Sequence, residues 1–72
     1  MKSYAIIIEK GETSYGVSAP DFPGCFAVGE TLEEAKKLFK EALEFHIKGL
    51  IEDGQPVPDP VNQSDYVNVE AA

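Results

Sequence analysis

Apolar and polar positions group into separable stretches, and the period of each names an element. Residues 3–9 carry Tyr4, Ile6, Ile7 and Ile8 ahead of the polar break "KGET", which predicts a strand followed by a turn over 10–13. Tyr15, Val17 and Ala19 alternate with Gly16 and Ser18, giving a second strand over 15–19 with one apolar face. Residues 25–29 make a third short strand after "APDFPGC". The first two strands are expected to pair as a hairpin.

From residue 32 the apolar spacing lengthens to three and four. Leu32, Ala35, Phe39, Leu43, His46 and Leu50 fall on one side, with Glu33, Lys37, Lys40, Glu41, Glu44 and Lys48 opposite. Thr31 and Glu34 have the spacing of a capping box, and Gly54 after Asp53 suits a helix C-terminus, so one helix is predicted over about 32–53. The prolines of "QPVPDP", residues 55–60, cannot continue it. An extended segment at about 3.1 Å per residue lets residues 55–64 run back roughly the length of the helix. "YVNVE", residues 66–70, would then lie beside the sheet as a fourth strand.

The expected fold is therefore α+β, in the order β-β-β-α-β: an antiparallel sheet packed on one long helix, in a single domain over residues 1–72. One helix covers one face of a sheet. Yet the first strand offers Tyr4, Ile6 and Ile8 to one side and Ala5 and Ile7 to the other, and the third offers Cys25 and Ala27 against Phe26 and Val28. Strands apolar on both faces are usually buried on both. A second layer is expected, supplied by another copy in a dimer or higher homo-oligomer. Leu38 and Phe45, beside the main helical stripe, widen the surface that needs cover.

Composition adds the sign of the surface. Thirteen acidic residues against six lysines give a net charge of -7. That charge repels phosphate backbones, so direct nucleic-acid binding is not expected, whereas encounter with a basic protein is favoured. The plainer reading of the same charge is solubility. Cys25 is the single cysteine; no disulfide framework or zinc cluster can be built from it, and a reducing cytoplasm fits. The apolar run at the N-terminus is too short for a signal peptide, and no stretch approaches a membrane span.

Candidate chemistry is sparse. His46 lies in the helical stripe and Cys25 in a short strand, and each reads more simply as a packed side chain than as a base or nucleophile. A two-metal nuclease needs carboxylates at fixed strand positions, and the first strand has Ile6, Ile7 and Ile8 there. Asp21 and Asp53 suit turn formation, and the glycines lack the spacing of a phosphate-binding loop. Pro56, Pro58 and Pro60 read as a spacer before they read as an SH3-type ligand. No catalytic residue, metal site or cofactor is expected.

Residues 15–60 carry an aromatic-glycine strand, the loop "DFPGC", a "GET" helix start with a glutamate-rich first turn, and an exit through "DGQPVP". This ordered set resembles the HicB-like antitoxin domain of bacterial and archaeal toxin-antitoxin systems. The resemblance implies a fold like a truncated ribonuclease H domain, self-association, and a partner, HicA, a small basic ribonuclease whose catalytic histidine and RNA surface the antitoxin covers. The acidic cluster of ribonuclease H chemistry is not matched here, so an inhibitor acting by occlusion is implied rather than an enzyme. Many relatives continue into a DNA-binding domain, and this sequence is expected to lack one. The alternative is a stand-alone oligomeric domain that binds another protein or a small ligand.

The residues expected to meet a partner surround the proline loop: Asp21, Phe22 and Pro23, with Tyr15 on the preceding strand and Glu30 ahead of the helix. Against that, Phe22 can pack inward and Asp21 can merely cap a turn. Pro23 and Gly24 suit the two central positions of a type II turn, which makes the loop first a stiff bend into the third strand.

Overall fold

The computed structural model describes residues 2–70. Three strands, β1 (Ile7–Lys10), β2 (Tyr15–Ser18) and β3 (Phe26–Gly29), form an antiparallel sheet in the order β1-β2-β3, and α1 (Leu32–Glu52) follows. Ile8, Val17 and Ala27 are paired across the sheet and so share a face, as do Ile7, Ser18 and Phe26 on the other. The first of these faces looks at the helix. Val17, Ala19 and Phe22 meet Ala35, Phe39 and Leu43 there to form the buried core, with Tyr4, Ile6, Tyr15, Cys25, Ala27, Ile47, Leu50 and Val57 packed at its margin.

The helix is defined at both ends. Glu34 N–H donates to Thr31 Oγ1 at 3.1 Å, and Glu34 Oε1 accepts from the N–H of Glu30 at 3.1 Å, so the capping box closes one residue earlier than its usual form. At the far end Gly54 has φ 70°, and the N–H groups of Gly54 and Gln55 donate to the carbonyls of Ile51 and Leu50, which is a Schellman closure. The buried stripe runs Ala35, Phe39, Leu43 and on to Ile47 and Leu50. His46, placed in the stripe by spacing alone, is instead exposed beside it, with its ring edge-on to that of Phe22.

Packing of α1 on β3 is close enough to dictate one residue. A Cβ at Gly29 would lie 2.6 Å from the backbone nitrogen of Ala35, so any larger side chain would push the helix off the sheet.

Two boundaries differ from expectation. The ladder of β1 begins at Ile7 rather than near residue 3, because Ser18 is the last residue of β2 and Ala19 turns away before Pro20. The fourth strand over 66–70 does not form within the single chain. The spacer does return along α1, where Pro58 O accepts from Tyr4 Oη at 2.6 Å and Asp59 pairs with Lys2. It then passes Asp21 instead of turning beside β1, and Tyr66, Val67 and Val69 stay exposed.

Candidate partner-binding surface

The loop between β2 and β3 is built from two successive turns with proline in the second position of each. Phe22 N–H donates to Ala19 O at 3.1 Å across Pro20–Asp21, and Cys25 N–H donates to Phe22 O at 3.1 Å across Pro23–Gly24. Gly24 has φ 92°, the positive value that a type II turn requires at its third residue. The expected stiff bend is present.

This geometry decides the fate of each candidate residue. Phe22 is 3% exposed, with its ring 4.8 Å from that of Tyr4 and 6.0 Å from that of His46, both edge-on. It is a core residue, and the expectation that it meets a partner is corrected by its burial. Asp21 is half-buried: Oδ1 accepts from Asn62 Nδ2 at 2.6 Å, and Oδ2 is buried without a hydrogen-bond partner among the described residues. Its carboxylate is spent largely on holding the tail. Pro23 and Glu30 are exposed.

Tyr15 is half-buried at the start of β2, opposite Gly29 and Lys10, with Lys10 Nζ 6.0 Å from the centre of its ring. Because Glu30 follows Gly29 directly, Tyr15 and Glu30 share one end of the sheet. Asp21 and Pro23 stand at the opposite end, a strand of four residues away, or about 13 Å at the usual rise. The five residues are thus not one patch but two. Around Glu30 the exposed Glu33 and Glu34 of the first helical turn add negative charge.

A third surface is the outer apolar face that the strand pattern leads one to expect. Ile7, Phe26 and Val28 project from the outer face of the sheet, with Phe26 60% exposed and its ring crossing Gly16. The single chain leaves this face uncovered, as the two-sided apolar pattern of the strands requires of a sheet with one helix. Lys2 and Asp59 form the one ion pair among the described residues, at 2.8 Å. Their hydrogen bond, helped by mutual attraction, raises the Lys2 ammonium above its ordinary pKa and lowers the Asp59 carboxyl below its own. No group of three His, Cys, Asp or Glu side chains among the described residues is placed to hold a metal ion, and no described helix is long and apolar enough to cross a membrane.

Three comparisons bear on this arrangement. Residues 4–71 match the sequence model of a family described as the HicB-like antitoxin of bacterial toxin-antitoxin systems. A 14.9 kDa protein of the rep-hol intergenic region of Haemophilus phage HP1 is 49% identical over 90% of this chain and 49% of its own length. Antitoxin HicB 1 of Photorhabdus laumondii is 39% identical over 92% of this chain and 44% of its own. The chain therefore spans about half the length of both relatives. Among solved structures, a chain of the HicA3 and HicB3 toxin-antitoxin complex superposes with a TM-score of 0.68 at 35% identity, covering 83% of this chain and 70% of that one.

Proposed function

The chain belongs to the HicB-like antitoxin family of bacterial toxin-antitoxin systems, and from that membership we propose that it is an inhibitory module that binds a HicA-like ribonuclease toxin and covers its RNA-contacting surface. The observation that carries this reading is the family match over residues 4–71. The likeness to a chain from a solved toxin-antitoxin complex and the net charge of -7 support it. A basic RNA-cleaving partner is drawn to an acidic surface over long range. The exposed carboxylates of Glu30, Glu33 and Glu34 beside Tyr15 supply a concentrated patch of that sign. Inhibition by occlusion requires no chemistry of the antitoxin itself. Exposed Pro23 at the other end of the sheet would fix orientation rather than strength.

The test mixes the purified chain with the product of the small basic reading frame nearest its gene. A complex on gel filtration and suppression of RNA cleavage are expected. Reversing Glu30 and Glu33 to lysine should slow association by about tenfold and flatten its salt dependence, with the dissociation rate little changed. No complex at micromolar concentrations, or cleavage unaffected by excess chain, overturns the proposal. A second reading, an oligomeric domain that takes another protein or a small ligand, is favoured by the exposed apolar outer face at Ile7, Phe26 and Val28.

A further inference from the structure

Gly49 stands where the fold has no use for a glycine. It lies three residues before the end of α1, inside a helix that glycine weakens more than any residue except proline. Its φ is not positive. Beyond its own stretch of helix, a Cβ placed there would meet no atom of the described residues within 4 Å, whereas one at Gly29 would strike the backbone of Ala35. Nothing within the described chain calls for the missing side chain. What it opens is a groove of about 560 Å³ between the second half of α1 and the start of β3, walled by Cys25, Phe26, Phe45, His46 and Asp53.

The lining asks for a cation. Phe45 is 80% exposed, and together with Phe26 it offers phenyl rings, whose faces attract a positive charge. Asp53 contributes a carboxylate that no cation of the described residues meets, since Lys2–Asp59 is the one ion pair among them. The helix adds its own negative pole. It closes on Glu52 and Asp53 with no basic residue in its last turn, the reverse of what its dipole favours. Among the described residues no lysine lines the groove. Ring, carboxylate and helix end thus converge with one sign on one opening.

We propose that this groove receives an arginine side chain of a basic protein partner, with the guanidinium between the phenyl rings and Asp53 and the methylene stem over Gly49. Arginine suits it better than lysine, because a planar guanidinium stacks on a ring while its fork meets a carboxylate. The bare backbone at Gly49 lets the stem approach closely. The chain has six lysines and no arginine, so a second copy cannot supply this side chain. Only the identity of the partner, a HicA-like toxin, rests on the preceding reading; the chemistry of the groove stands apart from it. The acidic patch at Glu30, Glu33 and Glu34 lies at the other end of α1. Long-range attraction belongs to that patch, and short-range anchoring in a desolvated pocket to the groove.

Binding kinetics of the full chain with the basic protein of the neighbouring reading frame test it, using Gly49→Leu, Phe45→Ala and Asp53→Asn. Gly49→Leu fills the groove and should weaken the complex about hundredfold, and the other two about tenfold each, mainly by faster dissociation. The same Gly49→Leu should raise the thermal midpoint of the free chain by about 4 °C or more, because leucine is the better helix former. A stabilised chain that binds less is the signature expected. A complex that all three substitutions leave unchanged overturns the groove and leaves the toxin reading intact. No complex with the unmodified chain overturns that reading instead, and the groove is then judged by a second probe. That probe is an acetylated and amidated Leu-Arg-Leu peptide at millimolar concentration, with citrulline in place of arginine as its neutral control. Amide signals of Cys25, His46 and Gly49 should shift with the arginine peptide, not with the control, and not in Phe45→Ala or Gly49→Leu. No shift, or equal shifts with both peptides, overturns the proposal. So does self-association of the unmodified chain that Gly49→Leu abolishes, which would give the groove to a second copy.

Discussion

Val17, on the helix side of β2, has no exposed surface, whereas Phe26, on the outer side of β3, keeps 60% of its surface in water. The two residues lie on adjacent strands of one sheet and are both strong strand formers. What separates them is cover. The inner face has a 21-residue helix whose Ala35, Phe39 and Leu43 interlock with Val17, Ala19 and Phe22. The outer face has only what its own side chains can arrange, the Phe26 ring lying across the bare backbone of Gly16. A pattern of apolar residues therefore says where cover is needed, and the topology says which face the chain itself can supply.

The sharpest way to break that contrast is to empty the inner face. Phe39→Ala should cost about 3–5 kcal/mol through lost burial and an unfilled cavity. A chain of 72 residues has a total stability of roughly 4–11 kcal/mol, at about 0.05–0.15 kcal/mol per residue. Phe39→Ala should thus lower the thermal midpoint by about 15 °C or more, or abolish the cooperative transition. Phe22→Ala, from the loop rather than the helix, should do the same. A small shift at Phe22 would mean that the two-turn loop carries its own stability and only leans on the core.

Phe26→Ser probes the other face and should be milder by several-fold. Removing the ring takes away its cross-strand contact with Gly16, a pair of the kind worth about 0.2–1 kcal/mol, and leaves no cavity because the site is open. Urea denaturation of the two variants side by side gives the comparison directly. A loss at Phe26 approaching that at Phe39 would show that something covers the outer face in solution.

The inner face was readable in advance because local signals agree there. The capping box at Thr31 and Glu34, the three-and-four spacing and the glycine at position 54 all specify the same helix, and Pro23–Gly24 specifies its turn. Ile47 and not His46 packs beside the core because adjacent helical positions differ by only about 100°, and the neighbouring strand decides which turns inward. The site residues were grouped by nearness in sequence, yet a strand between Tyr15 and Asp21 sets them at opposite ends of the sheet. Pairing of residues 66–70 depends on a contact made some 60 positions away, with nothing local to select it. Alternation alone identifies a strand and leaves its partner open.

The smallest expected effect belongs to the Lys2–Asp59 pair, one of the contacts that hold the tail against the rest of the chain. Both groups are exposed, so the pair pins a segment rather than holding up the fold. The Asp59 carboxyl is lowered by its bond to Lys2, so its share of the tether is present above the ordinary carboxylate pKa and is lost as pH falls through the lowered value. The Lys2 ammonium is raised, so its share is present below the ordinary lysine pKa and is lost as pH rises through the raised value. Across the neutral range both contributions are intact. Asp59→Asn should therefore leave the thermal midpoint almost unmoved, as surface substitutions do. Amide signals of residues 57–62 should nevertheless shift in the variant at neutral pH and coincide with those of the unmodified chain in acid. A midpoint that moved as far as that of Phe26→Ser would make the tail part of the fold's support rather than a segment pinned by exposed contacts at Tyr4, Lys2 and Asp21.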